Sequence, residues 1–322
     1  RFSSLHGLLV ALSASVPHRE MKIKAAFLLV SIVASTAIPS VDAQEAMYPA
    51  DLLERVRQAS SSIPGARPIS VNFIKFAESL RTYAVVIEGG SDEAFVSART
   101  AFQAYYPSGS VMIDAGMDHD VHRFYGFGRD EPYWPDRNDI VQTALRQANL
   151  IVVTHEHGDH VAGVLRSAHR EEIAGKTILN RAQVATLTTS PQLPEIRLTE
   201  EEALDYILVD YEMLLPVAPG IVLIRAPGHT PGHQMVYVHV REGVEYLLIG
   251  DIGWSLDNVT ELKLRPEATI NRINEDPEAL MAQLRWLNGT LQEGIIVVPS
   301  HDDELLNELV GDGLLGDSLA LR

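Results

Sequence analysis

Thr154-His155-Glu156-His157-Gly158-Asp159-His160 places His155, His157, Asp159 and His160 within six residues, directly after the apolar run Leu150 to Val153. So many polar, titratable side chains just past a buried strand cannot pack apolarly. Their types, imidazole and carboxylate, are the borderline ligands that zinc and related transition metals take. In an extended loop His155 and His157 point the same way, and Asp159 and His160 turn into the helix that follows. One segment can therefore serve two neighbouring metal positions. The chain has no cysteine, which excludes disulfides, iron–sulfur clusters and thiolate nucleophiles, and leaves His, Asp and Glu as the only metal ligands.

Three further segments repeat this placement of a polar cluster after an apolar strand. Gly228-His229-Thr230-Pro231-Gly232-His233 follows Ile221 to Arg225, Gly250-Asp251 follows Tyr246 to Ile249, and Pro299-Ser300-His301-Asp302 follows Ile295 to Val298. Functional sites of α/β folds gather at such strand ends. Asp114, in Ile113-Asp114-Ala115-Gly116, closes another apolar run.

Together these segments resemble the His-x-His-x-Asp-His signature and the accompanying motifs of the metallo-β-lactamase-fold hydrolases. The resemblance spans about residues 69–310 and implies an α/β, layered α+β fold: a single-domain αββα sandwich. It further implies two divalent metal ions, zinc foremost. One would be held by His155, His157 and His229, the other by Asp159, His160 and His301, with Asp251 as the bridge. Two cations about 3.5–4 Å apart need an anionic bridge and can share a hydroxide formed from water at neutral pH. Asp159 is then the group that receives or relays the proton. Asp114 and His233 are expected to support ligands by hydrogen bonding rather than to bind metal. Glu156 is expected to face solvent or a supporting partner.

The pattern is similar to the N-acyl-homoserine lactonases and the secreted organophosphate hydrolases. An aspartate at 251, where zinc β-lactamases usually have Cys or Ser, argues against a dedicated β-lactamase. Only a short tail follows His301, without the helical domain of glutathione-thioester hydrolases. The implied reaction is hydrolysis of a neutral ester or lactone resembling an acyl-homoserine lactone. A phosphotriester hydrolase, a β-lactamase-like amide hydrolase and a mononuclear-iron persulfide dioxygenase remain as alternatives. The lactonases usually have a tyrosine three residues after the bridging aspartate; here it is Trp254, whose indole donates a hydrogen bond but cannot act as an acid. Phe124, Tyr125, Phe127, Tyr133, Trp134 and Trp254 are candidates for an apolar substrate wall.

Composition narrows the partners. The 322 residues are 46% apolar, and 26 Lys+Arg against 43 Asp+Glu give a formal net charge of −17. That field disfavours phosphate backbones, so a small-molecule substrate is expected and nucleic acid is not. Met21-Lys22-Ile23-Lys24 precedes the apolar run Ala25 to Ile38. This run is shorter than the ~20 residues that span a bilayer. Val41-Asp42-Ala43 offers small residues for cleavage before Gln44. Residues 1–43 thus read as an upstream segment plus signal peptide, without stable membrane insertion, for export to the periplasm or beyond. Residues 44–68 read as an N-terminal helix and linker, and 69–322 as the hydrolase domain.

Local patterns supply the remaining elements. Residues 44–62 are amphipathic and helical, Ile69–Phe76 and Thr82–Glu88 a hairpin, and 117–137 a long irregular stretch. Asp139 to Gln147 reads as a helix, and Asp276-Pro277 as the cap and first turn of another.

Overall fold

The computed structural model describes residues 48–322; the expected export signal and its cleavage site lie outside the described residues. Eleven strands among these residues form two sheets. The first contains β1 (Ser70–Thr82), β2 (Ala94–Tyr106), β3 (Gly109–Ile113), β4 (Leu150–Val152), β5 (Thr177–Asn180) and β6 (Ile207–Val209), in that spatial order. The second contains β7 (Leu214–Ala218), β8 (Ile221–Arg225), β9 (Gln234–His239), β10 (Glu245–Gly250) and β11 (Ile296–Pro299), ordered β11-β10-β9-β8-β7. In the first sheet β1, β2 and β3 pair antiparallel, and β3 to β6 run parallel. In the second only β10 and β11 are parallel.

Successive side chains of a strand point to opposite faces, so a strand apolar throughout must be covered on both sides. On β8, Ile221 and Leu223 enter the core between the sheets, while Val222 and Ile224 join an outer core. Val236 and Val238 of β9 and Leu248 of β10 also face inward, against Met235, Tyr237, Leu247 and Ile249 facing out. In the first sheet Val111, Ile113 and Val152 face the sandwich interior; Met112, Ile151 and Val153 meet the opposite layer. Helices complete both outer layers. Those at Pro135–Gln147 and Gly158–Leu165 cover the first sheet, and those at Leu52–Ser60 and Pro277–Gln292 cover the second. The result is the expected αββα sandwich, with helix–sheet–sheet–helix layers.

The helix Leu52–Ser60 belongs to an outer layer, since Leu52, Leu53 and Val56 are buried against the second sheet. Asp276 caps Pro277–Gln292, accepting the N–H groups of Glu278 and Ala279 at 3.0 Å. Two expectations are corrected. Thr82–Glu88 is not a strand: β1 continues unbroken to Thr82 through a bulge at Lys75/Ala77, and Tyr83–Val86 is a helical turn. The partner of β1 is β2, reached after the turn at Gly89-Gly90. Residues 117–137 are not irregular throughout, because Asp118 accepts the Val121 N–H and caps a helix over His119–Tyr125. The next helix starts at Pro135, earlier than its apolar periodicity suggests. Among the described residues no helix is long and apolar enough to cross a membrane.

Candidate metal centre

The polar clusters meet at one edge of the sandwich because each follows the C-terminal end of a strand there. The loop after β4 supplies His155 to His160; those after β8, β10 and β11 supply His229, Asp251 and His301. Backbone bonds fasten these loops together. Gln234 N–H donates to Thr154 O at 2.9 Å, Ala115 N–H to His160 O at 2.8 Å, and Ala98 N–H to His301 O at 3.0 Å. Gly163 lets the helix Gly158–Leu165 lie against the Asp114–Gly116 turn, where a Cβ would stand 1.9 Å from Ala115 O.

All seven candidate ligands converge. His155, His157 and His229 have ligand atoms within 4.8 Å of one another, as do His155, His160 and Asp251, and Asp159, His160 and His301. Asp251 lies between the two groups. Its Oδ2 is 3.4 Å from His229 Nε2 and 4.0 Å from His155 Nε2; its Oδ1 is 3.0 Å from His301 Nε2 and 3.3 Å from His160 Nε2. Asp159 Oδ2 is 3.5 Å from His301 Nε2 and 3.6 Å from His160 Nε2. Ligands about 2.1 Å from a tetrahedral ion stand about 3.4 Å apart, so these spacings fit shared centres. His155 Nε2, His160 Nε2 and Asp251 Oδ1 are buried without a hydrogen-bond partner. Such atoms are costly unless something binds them. Five imidazoles and two carboxylates therefore fit a pair of divalent ions of the zinc class.

Charge is already set for ligation. Burial holds the His155 imidazole well below its ordinary range and brings His157 down to about 3, so both are neutral donors. Burial alone would raise Asp251, but His301, His160 and His155 outweigh it and keep the carboxylate ionised. Asp159 behaves alike, with His160, Arg99 and His301 overcoming its desolvation. His160 is the exception: burial lowers it, yet Asp159, Asp114 and Asp251 raise it well above the ordinary value.

Several of the candidate ligands are held from behind. Asp114, in a left-handed conformation (φ 61°), has Oδ2 2.7 Å from His160 Nδ1 and accepts the Thr154 N–H and hydroxyl. His233 Nε2 accepts the Asp251 N–H at 3.1 Å, and its ring stacks on His155. Gly250 (φ 55°) makes that approach possible, since a Cβ would lie 2.6 Å from His233 Nε2. Glu156 does not face solvent: it is buried, accepting the Thr230 hydroxyl at 2.8 Å and the Gly232 N–H at 3.2 Å, and so ties the first His loop to the His229 loop.

Beside the cluster opens a cleft of about 500 Å³ lined by Phe124, Tyr125, Phe127 and Trp254 together with His157, Asp159, His229 and Asp251. Tyr133 and Trp134 are not on it. Tyr133 packs edge-on against Phe76, and Trp134 lies under Lys75 and Arg137. The turn after the helix His119–Tyr125 carries them to the outer side of β1. Sequence reasoning missed Arg99 and Glu275. Arg99, buried on β2, pairs with Asp159, donates to Ser79 Oγ at 3.1 Å and lies over the Tyr125 ring. A lone charge inside an apolar strand was the available signal. Glu275 Oε1 is 2.5 Å from His229 Nδ1, and Arg265 pairs with the same carboxylate. Nothing in Asn274-Glu275-Asp276 marks that role.

No family profile matches the chain. In sequence it is similar to the N-acyl homoserine lactonase of Bacillus thuringiensis, 24% identical over 212 residues, 61% of this chain and 78% of that protein. A Bacillus sp. N-acyl homoserine lactonase is 26% identical over 213 residues, with the same coverage. Among solved structures, a quorum-quenching N-acyl homoserine lactone lactonase superimposes with a TM-score of 0.60 at 17% identity, covering 76% of this chain and 97% of that one. A probable metal-dependent hydrolase from Staphylococcus aureus gives 0.57 at 14% identity, covering 74% and 91%.

Proposed function

Taking the chain as one with the metallo-β-lactamase fold, similar in sequence to lactonases, we propose that it is a metal-dependent hydrolase that opens a lactone or cleaves a carboxylic ester. The observation that carries this reading is Asp251, whose two oxygens each face a different group of candidate ligands. Two divalent ions held there would activate water at neutral pH and polarise the attacked carbonyl. Relatives support the substrate class: one neighbouring structure is an N-acyl homoserine lactone hydrolase with the product N-hexanoyl-L-homoserine bound at the catalytic metal centre.

The chain's own groups then divide the remaining work. Asp251 is shared between both ligand groups, which leaves Asp159, ionised and on the cleft, to take the proton from the attacking water and return it to the leaving alkoxide. Burial and the Asp159 charge keep the Tyr125 phenol protonated; it donates to Gln192 at 2.6 Å and accepts the Asp159 N–H at 3.1 Å. Tyr125 thus fixes the loop carrying Asp159. Phe124 and Phe127 offer apolar surface for an acyl or aryl group. Export, read from residues 21–43, completes the proposal and is tested by N-terminal sequencing of the secreted chain.

The deciding experiment is a panel of acyl-homoserine lactones, aryl esters, phosphotriesters and penicillins on zinc-loaded protein with its metal content measured. Lactone or ester turnover abolished by chelation is expected. Cleavage of phosphotriesters alone would move the assignment to that chemistry, and one bound iron with oxygen consumption on a persulfide would end the hydrolase reading.

A further inference from the structure

Three guanidinium groups face the cleft of this acidic chain. Arg81, Arg99 and Arg272 line it, on a chain of net charge −17. Its three carboxylates are all engaged: Glu156 by Thr230 and Gly232, and Asp159 and Asp251 within the ligand cluster. Arg81 is balanced by Glu131 at 2.7 Å and Arg99 by Asp159. Arg272 differs. It is exposed, and among the described residues no carboxylate forms an ion pair with it.

It does have an aromatic neighbour. The guanidinium carbon lies 5.6 Å from the centroid of the Phe127 ring, and that of Arg81 lies at the same distance from the same ring. Phe127 is 62% exposed and holds a left-handed backbone (φ 51°), an uncommon conformation for a bulky residue. A ring between two cations gains from both contacts. The rim therefore presents an apolar face, a guanidinium without a counter-charge and, deeper in, the ligand cluster. With divalent ions bound, the cleft would be cationic overall.

We propose that the substrate carries a carboxylate remote from the scissile ester or lactone bond, and that Arg272, held by Phe127, binds it. This rests on the hydrolase reading and names its substrate class: an amphipathic, anionic ester or lactone instead of the neutral one the motifs suggest. Hydrolysis adds water across the acyl C–O bond in the same way for either, so only recognition changes.

The test compares the 4-nitrophenyl monoester of glutaric acid with 4-nitrophenyl pentanoate, which differ by the remote carboxylate. A single exposed ion pair is worth a factor of up to about five, so the anionic ester is expected to lead in kcat/KM by about fivefold. Arg272→Ala should cut that ratio about fivefold, Arg272→Lys should keep most of it, and Arg272→Glu should depress it further. A ratio near one in the natural protein, or one unmoved by Arg272→Ala, overturns the inference while leaving hydrolysis intact. Calorimetric titration of glutarate against acetate on zinc-loaded protein needs no turnover. If no ester or lactone is cleaved yet glutarate binds more tightly in an Arg272-dependent way, the hydrolase reading fails and the carboxylate site stands.

Discussion

The indole Nε1 of Trp254 donates to Asp251 Oδ2 at 2.9 Å, the oxygen that also faces His229. The contacts close into a ring. The Arg265 guanidinium lies 5.0 Å from the Trp254 ring centroid, Arg265 pairs with Glu275, and Glu275 holds His229 Nδ1. One candidate metal position is thus enclosed by side chains that fix both His229 and the Asp251 carboxylate. Trp254 lines the cleft, but it also orients a candidate ligand.

Replacing it separates the two roles. Trp254→Phe keeps an aromatic wall and removes the donor. A pocket-shaping residue alone would change KM and spare kcat. Loss of a group supporting a ligand typically costs about 10–100-fold in metal affinity or activity. We expect zinc affinity to fall by about tenfold or more and kcat to drop with it. Competition with a chromophoric chelator measures the first. Unchanged affinity with only KM raised would return Trp254 to the wall.

Asp114 gives a second test, because backbone and side chain make separate demands there. Its left-handed backbone suits Asn nearly as well as Asp but penalises Ala by about 1 kcal/mol. Asp114→Asn should therefore hold its melting temperature better than Asp114→Ala. Both should lose zinc affinity by about 10–100-fold, since neither offers a carboxylate to His160 Nδ1. Equal melting temperatures for the two variants would contradict the conformational argument.

The ligand loops were legible because each stands just after an apolar strand, and β8, β10 and β11 lie within a residue or two of where their alternation puts them. What failed depended on contacts distant in sequence. Thr82–Glu88 is β-branched and aromatic enough for a strand, yet β2 takes the pairing and leaves Tyr83 to turn into a helix. Tyr133 and Trp134 share the aromatic run of Phe124 and Tyr125, but the turn after His119–Tyr125 brings Tyr133 back to the edge of β1, where it pairs with Ala77 and packs on Phe76. Glu156 alternates with two histidines and would face away from them toward water in an isolated loop. Here the His229 loop covers that side. Glu275 and Arg265 compensate one another only when folded, so neither leaves a local pattern.

The histidines make the metal-free protein sensitive to acid. His155, His157 and His233 are held neutral by burial, with folded pKa values below the ordinary 6.5. The unfolded chain thus binds protons that the folded one refuses, and stability falls as pH drops below about 6.5, by up to about 1.4 kcal/mol per pH unit per such group. His160 acts oppositely: its raised value gives stability that is present below 6.5 and lost as pH rises through its folded pKa. Three groups outweigh one. Melting temperatures of chelator-treated protein should decline from pH 7 to pH 5, and zinc, which requires deprotonated ligands, should protect most at neutral pH. A flat or rising profile on acidification would refute the assignment of neutral imidazoles.

Glu156 offers the sharpest test of how the two His loops are joined. Its buried carboxylate accepts from the Thr230 hydroxyl and the Gly232 N–H, and Gly232 leaves room for it, since a Cβ there would stand 2.7 Å from Glu156 Oε2. Hydrogen bonds to a charged acceptor contribute about 1.5–3 kcal/mol, and a donor stranded in the interior costs its desolvation as well. Glu156→Ala should therefore destabilise the fold by about 2–4 kcal/mol. Glu156→Gln, which keeps one acceptor oxygen and the volume, should cost about half as much. The functional consequence follows from position, because Thr230 adjoins His229. Loosening the clamp should weaken zinc at the group containing His229 before it affects the Asp159, His160 and His301 group. Cobalt substitution followed by optical titration distinguishes one altered site from two. Equal weakening of both sites, or full stability in Glu156→Ala, would show that the carboxylate does not couple the loops.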